Sequence, residues 1–131
     1  MGKLILNGKE YTSNREEMHN YSTIEQVVGT WLDEKPLYEI TYQDTLPIVT
    51  TGTNVTKTLD LSSLNVSKVI EYSAVVITSG GYYKLPYSYN DGNGGKCYYN
   101  TSQNTFNIIA NSANMSECQF FAIFQYTKTT D

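Results

Sequence analysis

The chain offers few residues that could make or break bonds. His19 is the only histidine among 131 residues, so any nucleophile–histidine–acid triad would have to be built on it. It stands in the polar run REEMHN at 15–20, where a solvated loop histidine is the expected role. Cys97 and Cys118 are the only cysteines. With no Cys-x-x-Cys spacing and a single histidine they make no metal-binding set. With no export signal they are expected as free thiols, and neither has a sequence neighbour that would activate a thiolate. Glu16-Glu17 and Asp33-Glu34 are adjacent carboxylates. Paired carboxylates hydrolyse glycosides when they sit about 5–9 Å apart across a cleft. Consecutive residues of an extended chain point to opposite faces, so these pairs are expected in a solvated loop and a solvated turn. The run NDGNGG at 90–95 fits only two positions of a calcium loop, through Asp91 and Asn93. Lys96 follows it and the closing Glu is absent. Neither glycine cluster, at 80–81 or 92–95, is followed by the Lys-Ser/Thr of a phosphate loop. No metal, no cofactor and no catalytic residue is expected.

The residue in excess is tyrosine. The chain has twelve, while charged residues make up only 17%, against roughly 25% in ordinary domains. Tyr82, Tyr83, Tyr87, Tyr89, Tyr98 and Tyr99 flank the Gly-Asn loop. With Asn90, Asp91 and Asn93, and Asn100 beside them, they form a candidate contact surface. Rings would stack on sugar faces or on protein, and the amides and the carboxylate would add hydrogen bonds. Strand alternation sends about half of any such set inward, so a role in filling the core or a subunit interface stands beside the contact surface.

The net charge is −4 and there is no basic run, which argues against binding a nucleic-acid backbone. No apolar stretch approaches the roughly 20 residues of a membrane-spanning helix. The apolar run at 3–6 is too short for a secretory signal. The length suits one domain with a real core.

Those candidate residues need elements to place them. Asn7-Gly8 between the apolar runs at 3–6 and 10–12 predicts a hairpin. Ser22-Thr23-Ile24-Glu25 fits a capping box, and Gly29 a stop, predicting a short helix at 22–28. The β-branched Val27 and Val28 keep a strand reading in competition. Residues 30–33 and 36–42 read as strands about a tight turn, with Tyr38, Ile40 and Tyr42 facing in. Residues 55–61 alternate, with Leu59 and Leu61 facing in. Residues 65–78 (NVSKVIEYSAVVIT) and 117–127 carry apolar residues on both faces, which predicts cover on both sides, by a second sheet or by a neighbouring subunit. Residues 82–89, 97–100 and 106–110 add further strands, and 90–96 reads as an exposed flexible loop. About eight or nine short strands with a turn every eight to twelve residues predict a mainly β protein. Its form is an antiparallel β-sandwich, jelly-roll-like or closed as a small barrel, with an N-terminal hairpin and one short helix.

Residues 22–38, STIEQVVGTWLDEKPLY, hold the only Trp. They resemble a signature of small structural proteins of tailed phages and prophages, of the form S-T-x-E-x-V-x-G-x-W-x-D-x-K-P-[LI]-Y. Ser22, Thr23, Glu25, Val27, Gly29, Trp31, Asp33, Lys35, Pro36, Leu37 and Tyr38 carry the resemblance. Ile24 stands where an acidic residue is common, and Glu34 where a glycine is, which would change a turn that uses positive φ. The opening MGKLILNGKEY and the closing QYTKTTD are similar to the ends of those proteins, whereas 44–118 resembles no named family. The resemblance implies a tail-fibre, head-fibre or minor structural protein, made in the host cytoplasm without a signal peptide and located in the virion. It also implies an attachment and assembly segment at 1–43, a β domain at 44–131, a homotrimer, and contacts with other virion proteins. Trp31, Pro36, Leu37 and Tyr38 are then the candidate docking residues. The expected function is a non-enzymatic, oligomeric fibre or tip module that adheres to bacterial-surface glycan. A decoration or adaptor without a receptor is the alternative. A polysaccharide depolymerase comes third, since it would need two carboxylates facing one cleft.

Overall fold

The computed structural model describes the backbone of 3–6 and 9–12, and residues 19–89 and 92–131 in full. Asn7, Gly8, the run 13–18, Asn90 and Asp91 lie outside the described residues, and with them the expected Asn-Gly turn and most of the expected polar tether. Strands β1 (Lys3–Leu6) and β2 (Lys9–Thr12) pair antiparallel, Leu6 opposite Lys9. The remaining strands are β3 (Gln26–Thr30), β4 (Pro36–Thr45), β5 (Val55–Asp60), β6 (Val66–Thr78), β7 (Gly81–Lys84), β8 (Tyr87–Ser88), β9 (Gly94–Asn100), β10 (Thr105–Ala110) and β11 (Gln119–Lys128). They form a five-stranded sheet in the order β3-β4-β11-β6-β7 and a four-stranded sheet in the order β5-β10-β9-β8. Among the described residues all pairings are antiparallel, and the two large sheets stay separate as a sandwich with no closed barrel.

The core lies between the inner faces of β10 and β11. Phe106, Ile108 and Ala110 face Phe120, Ala122, Phe124 and Tyr126, all at most 2% exposed. The Phe124 ring meets Phe106 edge-on at 4.5 Å and Tyr42 at 5.9 Å. Aromatic edges against faces add attraction beyond the area they bury. In β4 the alternation works as expected: Ile40 is buried, and Tyr38 and Tyr42 are half-buried against the core. Glu39, on the opposite face of β4, is 1% exposed, which alternation alone does not foretell.

Several expectations change, among them the strand at 30–33: β3 ends at Thr30 and the residues after it make the turn. The helix at 22–28 is replaced by β3. The Ser22 hydroxyl accepts from the Ile24 amide at 3.0 Å, a local turn rather than a helix cap. The Glu25 carboxylate reaches across to β11, where it accepts from the Tyr126 hydroxyl and pairs with Lys128 at 2.7 Å. Val27 lies opposite Tyr38 in the sheet. A tertiary ion pair and a strand partner outweigh one turn of helix, which is marginal alone. The boundary expected between 43 and 44 falls inside β4, whose pairing with β11 makes it an interior strand of the sandwich. Residues 94–96, expected within a flexible loop, open β9.

The turn from β3 to β4 closes with the Trp31 amide donating to the Lys35 carbonyl at 2.9 Å. Glu34 sits there at φ 68°, left-handed backbone that costs a side chain about 1–2 kcal/mol. Glu34→Gly relieves that strain and loosens the unfolded chain, for a net gain of about 0.5–1 kcal/mol. Differential scanning calorimetry should register a rise of about 2–4 °C in Tm; an unchanged or lower Tm would contradict the strain.

Candidate functional site

A cleft of about 450 Å³ opens where the N-terminal half of β6 passes the β9–β10 turn, at one flank of the sandwich. Tyr72, Tyr98 and Tyr99 line it, with Ser67, Lys68, Thr101, Asn104, Val66 and Val69. It is open because β7 pairs only with the last residues of β6, from Val75 to Thr78. Tyr72 leans edge-on against Phe106 at 5.5 Å and stacks on Phe124 at 6.4 Å, yet stays 40% exposed. Its ring is thus held by the core on one side and offered to solvent on the other. Tyr98 and Tyr99 are neighbours on β9. Tyr99 packs against the core, while Tyr98 is 43% exposed.

The wall of the cleft is pre-arranged. The Tyr99 hydroxyl donates to Asn104 Oδ1 at 3.1 Å. Asn100 Oδ1 accepts from the Ser102 amide, the Ser102 hydroxyl and the Gln103 amide at 2.8–3.2 Å. Asn100 therefore spends its acceptor on its own turn instead of on a ligand. Rigid rings beside amides and hydroxyls lower the entropy lost on binding. Among the described residues Lys68 is the only charged one in the lining, so the cleft suits a neutral, polyhydroxylated ligand with apolar faces.

The tyrosine cluster expected as one surface is divided in three. Tyr83, Tyr87 and Tyr89 pack on one another, tilted or edge-to-face with centroids 4.4–5.5 Å apart, against the core. Burial pushes the Tyr89 hydroxyl up to about 12. These three fill the sandwich, because Tyr83 lies opposite the buried Val76 on the inner face and the chain then crosses to β8 in the other sheet. Tyr82 lies on the outer face of the five-stranded sheet and is 72% exposed. Only Tyr98 and Tyr99 reach the cleft. Asn93 belongs to the turn before β9, where its carbonyl accepts from the Tyr89 amide. Tyr72, Ser67, Lys68, Thr101 and Asn104 were missed by the sequence reading. Tyr72 reads as a core residue by alternation, and the flank that exposes it depends on where β7 stops.

No protein-family model, no curated protein and no solved structure matches the chain.

The expected docking residues are mostly half-buried. Trp31, Pro36 and Leu37 are partly covered, and Tyr38 stacks on Tyr126 at 5.9 Å beneath Lys128. Their neighbours are the exposed ones: Tyr21 60%, Ile24 76%, Val27 59% and Leu32 88%. A second groove, of about 230 Å³, lies on the outer face of the five-stranded sheet. There His19 is no free loop residue: its Nε2 lies 2.6 Å from Glu39 Oε1, and its ring stacks on Tyr21 at 4.3 Å. Gln125 Nε2 donates to the other Glu39 oxygen at 3.0 Å, and Glu71 lines the same groove. Cys97 and Cys118 are free thiols, and burial pushes Cys97 up to about 11, away from thiolate chemistry at neutral pH. Among the described residues no group of three His, Cys, Asp or Glu could hold a metal ion, and no helix is long and apolar enough to cross a membrane.

Proposed function

We propose that the chain is a non-enzymatic structural protein of a tailed-phage virion, an oligomeric fibre or tip module that adheres to bacterial-surface glycan through the flank cleft. The virion assignment rests on the resemblance at 22–38. The adhesive role rests on one observation, Tyr72 and Tyr99 meeting amides and hydroxyls in an open groove that Tyr98 borders. Sugar C–H faces pack on aromatic rings, while their hydroxyls exchange hydrogen bonds with Asn and Thr. A single site of this kind is weak, near the millimolar level of about −4 kcal/mol. Linked copies raise the avidity by about 10²–10⁴.

Glycan-array and whole-cell binding of the oligomeric protein tests this reading. Wild type should bind a defined class of polysaccharide, and Tyr98→Ala should lose about tenfold, the loss of one stacking contact of about 1.5 kcal/mol. Tyr98 is 43% exposed, so the variant should fold. An oligomer that binds no glycan and no cell would remove the adhesive role.

A second reading, an adaptor or decoration without a receptor, is favoured by the exposed strip Tyr21, Ile24, Val27 and Leu32. Depolymerisation ranks third. Glu39 and Glu71 do share a groove, but both oxygens of Glu39 are already engaged.

A further inference from the structure

The flank cleft is bordered by bare main chain as well as by rings. The Leu85 amide donates to the Ala74 carbonyl at 2.9 Å, so Ala74 turns its main-chain groups toward the β7 side. In a paired strand the N–H and C=O of one residue point the same way, and alternate residues share that direction. The register of β6 on β11 is unbroken from Ala74 back to Glu71, so Tyr72 turns its N–H and C=O to the same side. β7 pairs only with residues 75–78 of β6, and among the described residues no strand covers Tyr72 there. β9 is bare in the same way. The Gly94 carbonyl accepts from the Asn111 amide at 3.0 Å, and the Gly94 amide donates to Asn111 Oδ1 at 2.7 Å. Gly94 thus faces β10, and Gly95, Cys97 and Tyr99 face away from it. β8 pairs with Gly94 and Gly95 alone, which leaves Cys97 and Tyr99 uncovered, about 6.8 Å apart along the strand. We infer that these main-chain groups bind amides of the ligand: the glycan of the cleft carries secondary amides, as acetamido groups on its sugars or as a short attached peptide.

This inference rests on the glycan reading of the cleft and narrows it. The groups of a strand edge are complementary to N–H and C=O groups. A secondary amide brings both in one rigid plane, whereas a sugar hydroxyl rotates and loses that freedom on binding. Tyr72 joins the two kinds of contact, since its half-exposed ring and its bare main chain belong to one residue at the cleft. A whole protein strand fits the flank less well. The bare stretches are short: one position on β6 before its register shift, and two on β9. Lys68, exposed on the same stretch of β6, is the kind of side chain that keeps an edge from taking a full strand. At the edge strand β5 an inward charge has that role. Lys57 lies opposite the buried Ile108 and is held to Asp44 at 2.9 Å.

Titration calorimetry and amide hydrogen exchange of the full chain test it with three probes. They are a glucose tetramer, the matching N-acetylglucosamine tetramer, and the glucose tetramer joined to a neutral, blocked dipeptide. At least one amide-bearing probe should bind about tenfold tighter than the plain glucose tetramer, the effect of one added hydrogen bond. At saturation that probe should slow exchange about threefold or more at the Tyr72, Cys97 or Tyr99 amide, while the Tyr98 amide, which faces β10, stays unchanged. A gain with the acetamido probe assigns the amide to the sugar, and a gain with the dipeptide probe alone assigns it to a peptide. Equal affinity for all three probes, or tighter binding with exchange unchanged at all three amides, would overturn the inference and leave the adhesive role standing. Binding to none of the three would overturn it too, and the array result then decides whether the adhesive role falls with it.

Discussion

Phe124→Ala is expected to lower the unfolding free energy by about 3–5 kcal/mol, the range for removing a fully buried phenylalanine. Phe124 is 1% exposed on the central strand of the five-stranded sheet, and its ring touches Phe106, Tyr42 and Tyr72. These partners come from three different strands in both sheets, so no single shift can collapse the void. Total stabilities run to about 5–15 kcal/mol, so the loss is a large share of the whole. For a chain of 131 residues it corresponds to a fall of about 10–18 °C in Tm. Urea denaturation monitored by tryptophan fluorescence and calorimetry should agree on it. A drop under about 1 kcal/mol would mean that the two sheets do not pack through this ring.

Gly94→Ala should cost at least the upper end of the usual overpacking range, about 3 kcal/mol. A Cβ at this position would lie 1.9 Å from the Tyr87 carbonyl oxygen and 2.9 Å from Ser88 Cα. Both neighbours are backbone, so relief requires β8 to separate from β9. That separation would unseat the packed rings of Tyr83, Tyr87 and Tyr89, while the Gly94 amide keeps its bond to Asn111 Oδ1 on the β10 side, 2.7 Å away. Hydrogen exchange should quicken at 87–89 while β4 and β11 stay protected. Gly29→Ala is the control: nothing lies within 4 Å of its Cβ, and its effect should stay within about 0.5 kcal/mol. Equal effects at the two glycines would contradict the close strand approach.

The sandwich was legible because its central strands announce themselves. Residues 65–78 and 117–127 alternate with apolar residues on both faces, and the inner sets Ala74, Val76, Phe120, Ala122 and Phe124 are all buried. The turn at Glu34 was legible too, as a place where a glycine would be easier. What escaped depended on partners distant in sequence. Glu25 looked like the far half of a helix cap, but its carboxylate is taken by Tyr126 and Lys128, a hundred residues on. Gly94 read as loop because a glycine gives no local sign of which backbone will approach it. The tyrosines could be counted but not sorted, since alternation assigns faces and says nothing of where a strand ends. Tyr72 became a site residue only because β7 leaves the edge of β6 open, whereas Tyr98 was a candidate from the sequence. Glu39 is buried by His19 and Gln125, and neither contact is visible along β4.

The flank cleft is the surface proposed to hold glycan. That proposal is tested most directly by tyrosine-ring NMR of the protein titrated with the oligosaccharide that binds best on the array. Ring signals of Tyr72, Tyr98 and Tyr99 should shift and saturate together, those of Tyr83, Tyr87 and Tyr89 should stay still, and Tyr98→Ala should remove the response. Saturable shifts confined to Tyr21 or Tyr82, or no shift at any of the three cleft rings, would contradict it.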